Sequence, residues 1–229
     1  MISWIKLESG LKMQDRYTRV KWLVGDENFA KFKSTKILLC GLGGVGGFCA
    51  DALFRSGFCD ITVIDADSFE LTNQNRQLHS ENIGEKKAFV YERIYGFKAV
   101  VARIDEDFLK EFKLDNFDVI IDAIDDIKAK VALAKAVNLQ EQIFVSSMGG
   151  ARRIDSSRIK IAPIFKTHTD AFARKVRYEL KKANFKGSFD VVFSDESAKC
   201  VNLGSFMGVT ASFGLALSSL VLQKVLSKA

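Results

Sequence analysis

The sequence predicts an α/β protein built on a doubly wound, mainly parallel sheet, with antiparallel edge strands in the C-terminal half. Three observations carry this. Short continuous apolar runs alternate with longer helix-period stretches, the first run ends in a glycine-rich turn, and two later runs end in aspartates. Continuous rather than alternating apolar runs are what strands buried on both faces require, and intervening helices supply the cover.

The first strand is Lys36-Ile-Leu-Leu-Cys40, followed after the glycines by a helix to about Gly57. Ile61-Thr-Val-Ile-Asp65 is the second strand, residues 84–97 the next helix, and Val100-Val-Ala-Arg-Ile104 a third strand. Phe117-Asp-Val-Ile-Ile-Asp122, a helix over 128–139 and Ile143-Phe-Val-Ser-Ser147 continue the alternation. Beyond Gly150 the rhythm changes to Arg158-Ile-Lys-Ile-Ala162, a basic helix over 169–183, Val191-Val-Phe193 and an apolar C-terminal helix. These last strands are expected to add antiparallel at the sheet edge. Strand, glycine turn and helix in this order make the fold Rossmann-like.

Composition narrows the classes. A chain of 229 residues, 48% apolar and 27% charged, is long enough to bury a full core as one domain. The single proline, Pro163, and the lack of repetitive stretches leave no linker, so one domain over 1–229 is expected. Its nucleotide-binding half would span about 13–150 and its substrate half about 151–229. Cys40, Cys49, Cys59 and Cys200 show no C-x-x-C spacing, which points to a reduced, cytoplasmic chain without structural zinc. Residues 1–12 lack the apolar core of a signal peptide. Between Val201 and Gln223 no charged residue occurs, long enough to span a bilayer, yet Asn202, Gly204, Gly208, Gly214 and several serines favour a buried loop and helix.

Gly41-Leu-Gly43-Gly44-Val-Gly46 lies directly between the first strand and its helix. Glycines there let the backbone approach phosphate oxygens, and the helix N-terminus offers free N–H donors. Asp65, at the end of the second strand, can accept hydrogen bonds from a ribose. These features alone mean a nucleotide, with NAD the first candidate. The segment Asp67-Ser-Phe-Glu-Leu-Thr72-Asn73-Gln-Asn75-Arg76-Gln77 favours ATP, because it sets amides and a guanidinium beyond the ribose-binding strand, where a triphosphate would lie. Arg76 can hold phosphate bidentately and Lys87 can add a compact charge. In Asp122-Ala-Ile-Asp125-Asp126 a carboxylate is placed to hold magnesium.

These elements resemble the ubiquitin-activating-enzyme-like (ThiF/MoeB/HesA) adenylating superfamily. The pattern comprises the 41–46 turn, Asp65, Thr72-Asn73-Gln-Asn75-Arg76-Gln77, Gly84-Glu-Lys86-Lys87 and Asp122-Ala-Ile-Asp125. The resemblance implies that Gly41, Gly43, Gly44 and Gly46 line ATP and that Asp65 binds its ribose. It further implies that Asn73, Arg76 and Lys87 handle phosphates, with Asp67 and Asn75 beside them and Asp125 on Mg2+. Lys86 competes with Lys87 for its role. Arg16-Tyr-Thr-Arg19 resembles the N-terminal arginine element that reaches a neighbouring subunit's site, implying a homodimer in which Arg16 or Arg19 serves.

The second half narrows the branch. Lys166-Thr-His-Thr-Asp-Ala-Phe-Ala-Arg174, Asp190-Val-Val-Phe-Ser-Asp-Glu196 and the glycine-rich run 204–214 resemble the bacterial tRNA threonylcarbamoyladenosine dehydratases. That implies ATP-dependent cyclisation of threonylcarbamoyladenosine beside the anticodon through an acyl-adenylate, releasing AMP and pyrophosphate. The stretch between the basic helix and Phe189 is shorter than in some of these enzymes. Cys200 sits where they also carry a cysteine, for which a structural or peripheral role is expected.

Between Ala151 and Asp190 there are eleven Lys/Arg against four Asp/Glu, while the whole chain carries only +6. Arg152, Arg153, Arg174, Lys175, Arg177, Lys181 and Lys182 could form a face for a tRNA backbone or an ordinary solvated helix face, with Phe172 and Tyr178 as possible stacking rings. DNA is not an expected partner. Activation of a ubiquitin-like sulfur-carrier C-terminus is the alternative activity; it needs no basic face and often accompanies zinc.

Overall fold

A computed structural model describes residues 14–228. The expectation for the N-terminal stretch 1–12 therefore lies outside the described residues. Seven strands form one sheet: β1 (Lys36–Cys40), β2 (Asp60–Ile64), β3 (Lys98–Val100), β4 (Val119–Asp122), β5 (Ile143–Ser147), β6 (Ile159–Pro163) and β7 (Asp190–Ser194). Their spatial order is β3-β2-β1-β4-β5-β7-β6. Every neighbouring pair is parallel except β6–β7.

Alternation along each strand divides the core into two layers. Ile37 and Leu39 of β1 and Val119 and Ile121 of β4 face one layer, covered by α2 (Asp26–Ser34), α3 (Gly46–Ser56), α4 (Lys87–Tyr95) and α8 (Met207–Ser227). Leu38, Cys40 and Ile120 face the other, covered by α6 (Ile127–Ala136) and α7 (Ala171–Lys182), with partly buried side chains of α5 (Glu106–Glu111) against it. The short α1 (Thr18–Val24) sits on α2 and exposes Trp22 and Leu23.

The expected C-terminal edge needs refinement. Only β6 is antiparallel: β7 joins β5 in parallel, Ser146 opposite Val191, and β6 then returns along β7. The expected third strand over 100–104 shifts to Lys98–Val100, because β3 has a partner only along Thr62–Ile64 and nothing pairs its outer edge. The helix expected from Gly84 starts at Lys87, since Gly84 has φ +85° and turns the chain. α1, α2 and α5, each nine residues or shorter, were not foreseen.

α8 is long and apolar enough to cross a membrane by composition. Here one face is committed to the core through Val209, Phe213, Leu217, Val221 and Val225. It meets α3 at Gly214, where a Cβ would fall 2.9 Å from Cys49 N and Phe48 Cβ and closer still to Val45 O. Gly214→Val therefore forces the two helices apart and should cost about 1–3 kcal/mol, as overpacking does. Denaturant titration checks this; a midpoint equal to wild type would contradict the close crossing.

Candidate active site

Order reverses between β1 and β4, and the loops leaving the carboxyl ends of these two strands border a crevice, the usual ligand position in such sheets. The β1 loop is the glycine turn. Gly41 has φ +93°, its N–H donates to Ile64 O (2.8 Å), and a Cβ would lie 2.7 Å from Ala123 O. Gly46 has no room for a Cβ against the Gly41 carbonyl. At Gly44 a Cβ would meet Arg76 Cγ and Arg76 O at 3.2 Å and Thr210 Cβ at 3.3 Å. Gly43 differs: the nearest protein atom would be 3.9 Å away, so its bareness serves no packing need of the chain. No side chain caps α3; Gly47 N–H donates to Gly43 O (3.0 Å), and the other first-turn N–H groups have no side-chain cap to compete with a ligand.

β2 ends at Ile64, one residue before Asp65. Asp65 Oδ2 accepts from Leu42 N (2.6 Å) and Oδ1 from Asp67 N (2.8 Å), which locks the carboxylate beside the glycine turn. Burial pushes its pKa above the ordinary carboxylate value, with the Lys87 ammonium pulling the other way. Lys87, 5% exposed, points its Nζ to Asp67 Oδ2 (3.6 Å), and its N–H donates to Asp67 O (3.0 Å). Lys86 is exposed and donates to Ala66 O (2.7 Å). Of the two lysines, Lys87 is the one held beside Asp65 and Asp67.

The segment after Asp67 forms a 3-10 turn, Leu71–Asn73, stabilised by Asn73 Oδ1 accepting from Glu70 N (3.1 Å). Asn73 is buried, and Arg76 N donates to its carbonyl (3.0 Å). Arg76 Nη1 donates to Thr72 O and Asn75 Oδ1, both at 2.9 Å, which fixes the guanidinium, while the Arg76 Cγ and carbonyl lie against Gly44. Asn75 Nδ2 donates to Ser205 O and Oγ at 3.2 Å, tying this turn to the loop before α8.

The aspartates after β4 have separate fates. Asp122 is buried: its Oδ2 accepts from Lys130 Nζ (2.9 Å) and Ser146 Oγ (2.6 Å), and Oδ1 accepts from Ile124 N (3.1 Å). Asp126 caps α6 by accepting from Ala129 N (2.8 Å). Asp125 is exposed and takes no side-chain partner among the described residues. Lys130, buried with Asp122, was missed in the sequence. Its signal was a lysine between Ala129 and Leu133, on the core-facing side of the helix, where Lys128 and Lys135 do not fall.

Two expectations change for physical reasons. Arg153 is buried and does not join a surface face; it pairs with Asp170 Oδ2 (3.4 Å) and donates to the carbonyls of Gly149, Ala151 and Glu196. Arg177 is partly occupied by Thr167 Oγ1. Arg16 is exposed and its guanidinium lies 4.6 Å from the Phe54 ring, eight residues down α3 from Gly46 and so ~12 Å along the helix. Arg19 is also exposed on α1, and among the described residues no hydrogen bond or ion pair ties either arginine to the chain's own crevice. Cys200 is exposed and donates to Asn202 O (3.2 Å).

Residues 16–228 match the family model described as "ThiF family". This chain belongs to the ThiF family. Within it, the chain is 36% identical over 200 residues to the tRNA threonylcarbamoyladenosine dehydratase of Bacillus subtilis, covering 81% of this chain and 76% of that one. It is 31% identical to the Escherichia coli tRNA threonylcarbamoyladenosine dehydratase, covering 94% and 95% of the two chains. A crystal structure of the Escherichia coli tRNA N6-threonylcarbamoyladenosine dehydratase in complex with ATP superposes with a TM-score of 0.87 at 33% identity, covering 93% and 94%.

Two predictions follow from the charges of this ThiF-family chain. Lys130→Met strands a buried Asp122 and should cost about 3–5 kcal/mol, whereas Lys130→Met with Asp122→Leu should recover most of that loss. Equal losses in single and double variants, read by chemical denaturation, would contradict the pairing. Asp65 titrates higher folded than unfolded, so its ionisation costs stability at neutrality and the cost disappears as pH falls through the folded value toward the unfolded one. Without nucleotide, the stability difference between wild type and Asp65→Asn should therefore shift towards wild type on acidification; a pH-independent difference would contradict this.

Proposed function

We propose that this ThiF-family chain is an ATP-dependent tRNA threonylcarbamoyladenosine dehydratase that forms the cyclic nucleoside through an acyl-adenylate. The observation that carries the reading is local: Asp65 accepts from Leu42 N inside the glycine turn, Lys87 is held beside Asp65 and Asp67, and Arg76 packs against Gly44; Asp125, on the loop after β4, joins them in this reading. It occurs in a chain that matches an ATP-bound dehydratase along nearly its whole length.

The threonyl carboxylate attacks the α-phosphorus of ATP, and the bond to pyrophosphate breaks. An internal nucleophile of the modified base then attacks the acyl carbon, loses its proton and expels AMP. The net result is loss of water, with ATP converted to AMP and pyrophosphate. A carboxylate oxygen leaves poorly and AMP leaves well, so adenylation supplies the driving force.

Gly41, Gly43, Gly44 and Gly46 line the nucleotide in this reading. Asp65 accepts from ribose hydroxyls through its remaining lone pairs, and the α3 N-terminus faces phosphate. Asn73, Arg76 and Lys87 take phosphate oxygens, with Asp67 orienting Lys87 and Asn75 orienting Arg76. Asp125 is exposed and takes no side-chain partner among the described residues, so its carboxylate is chemically free to take a magnesium ion. Magnesium characteristically takes one or two carboxylates plus waters and substrate phosphates. Held by Asp125, it would offset charge on the departing pyrophosphate. Arg76 and Lys87 oppose the same charge from the protein side.

We read 1–229 as one cytoplasmic domain that works as a homodimer. Supporting the dimer, Trp22 and Leu23 on α1 and Leu215 on α8 are more than half exposed. Arg16 and Arg19 stand outside the chain's own crevice. Whichever of Arg16→Ala and Arg19→Ala loses turnover should regain it when mixed with Asp125→Ala. No recovery on mixing would contradict action across subunits.

Mass spectrometry of nucleosides from threonylcarbamoyladenosine-containing tRNA, incubated with the protein and magnesium-ATP, tests the activity. Loss of one water that depends on ATP, and falls by about 10²–10³ in Arg76→Ala, is expected. An unchanged nucleoside with ATP still bound would overturn the substrate and turn the search to carrier-protein C-termini.

A further inference from the structure

A second concavity lies beside the crevice, between the outer faces of α6 and α7. It encloses about 710 Å³. Ile127 and Lys128 form its α6 wall, which begins two residues after Asp125. Arg174, Lys175, Tyr178 and Lys182 form its α7 wall, with Glu179 among them.

α7 is amphipathic for a plain reason: Ala173, Val176 and Leu180 occupy its buried face and the basic residues take the rest. Such a helix commonly has only a solvated outer side. Three features separate this one from that case. Tyr178 is 65% exposed in the middle of the basic stripe, stacks on no other ring, and its hydroxyl takes no hydrogen bond among the described residues. Among the described residues none of Lys128, Arg174, Lys175 and Lys182 forms an ion pair, although Glu179 is adjacent. The helix is also anchored to the catalytic edge: Asp170 caps it by accepting from Phe172 N and Ala173 N, and pairs with the buried Arg153, which itself holds Gly149 O.

We infer that this α6–α7 groove binds unpaired nucleotides of the tRNA, with a base stacked on Tyr178 and the flanking phosphates on Lys128, Arg174, Lys175 and Lys182. The inference rests on the dehydratase reading. A ring flanked by cations in a concave track is the chemistry of single-stranded nucleic-acid binding, in which a π-face takes a base and the charges follow the backbone. From Arg174 to Lys182 the helix rises eight steps, ~12 Å, enough for more than one nucleotide. Because the track starts next to Asp125, a nucleoside in the crevice leaves its neighbours in an anticodon loop at the groove mouth. Arg153 is then a positioning residue, setting α7 against the crevice.

The test is tRNA affinity by fluorescence anisotropy over a salt series, with steady-state dehydration and ATP affinity on the same proteins. Tyr178→Ala should weaken tRNA binding about tenfold. Tyr178→Phe, which keeps the ring face, should bind as wild type. Lys175→Glu and Lys182→Glu should raise KM for tRNA and lessen the salt slope, with kcat at saturating tRNA and ATP affinity unchanged. Lys110→Glu on α5 serves as a control for bulk charge. If wild type dehydrates tRNA while the groove variants bind it normally, or if Lys110→Glu weakens binding as much as Lys182→Glu, the groove assignment is overturned and the activity stands. Wild type that neither binds nor dehydrates the tRNA overturns both.

Discussion

Close approach at the 41–46 turn is the constraint on which the rest of the molecule depends. Gly41 passes under the Ala123 carbonyl, Gly46 passes against the Gly41 carbonyl, and Gly47 leaves space taken by the Tyr91 hydroxyl. On the outer side Gly214 of α8 lies on the first turn of α3. The loop leaving β1, the loop leaving β4, α4 and α8 are thus in contact with one short stretch of backbone. A side chain at Gly41, Gly46 or Gly214 would have to move backbone, and one at Gly47 would have to displace the buried Tyr91 ring; close-packed interiors resist both. The arrangement fixes where the α3 N-terminus points. It also accounts for the apolar length of α8, whose buried face serves as cover for α3, β5 and β7.

Electrostatics then sorts the carboxylates. Taking an unpaired charge out of water costs several kcal/mol, so Asp122 is matched by Lys130 and Ser146 and its oxygens are fully engaged. Asp125, three residues on and exposed, needs no such compensation and stays open. Asp65 lies between these cases: burial raises its pKa, while Lys87 and two backbone N–H groups favour the ionised form. A site that binds a polyanion needs ligands whose valences are not spent on folding. The described geometry separates the two sets within a few residues of each other.

Much of this was legible in the chain. Continuous apolar runs identified β1, β4 and β5, because strands buried on both sides cannot tolerate alternation, and the glycine spacing placed the turn correctly. Legibility failed where direction rather than periodicity decides. Lys86 and Lys87 are adjacent, and only the start of α4 determines which one faces Asp65. Arg153 read as another surface cation until the Asp170 and Glu196 contacts, 17 and 43 residues away, drew it inside. Lys130 was hidden because a buried lysine looks like an interruption of an apolar face unless its partner is known. β7 was expected antiparallel, since a strand's direction is set by a crossover whose path the local pattern does not contain.

Gly43 allows the central claim to be tested in isolation. A Cβ there would meet no protein atom closer than 3.9 Å, and its φ is not in the left-handed region, so Gly43→Ala should fold and melt as wild type. Calorimetric titration of both proteins with ATP, and with NAD as comparison, is the direct measurement. ATP binding by wild type, lost or sharply weakened in Gly43→Ala at unchanged thermal stability, is the predicted result. Equal ATP affinity in the two proteins, or NAD binding in preference to ATP, would contradict a nucleotide held against this turn as the account requires.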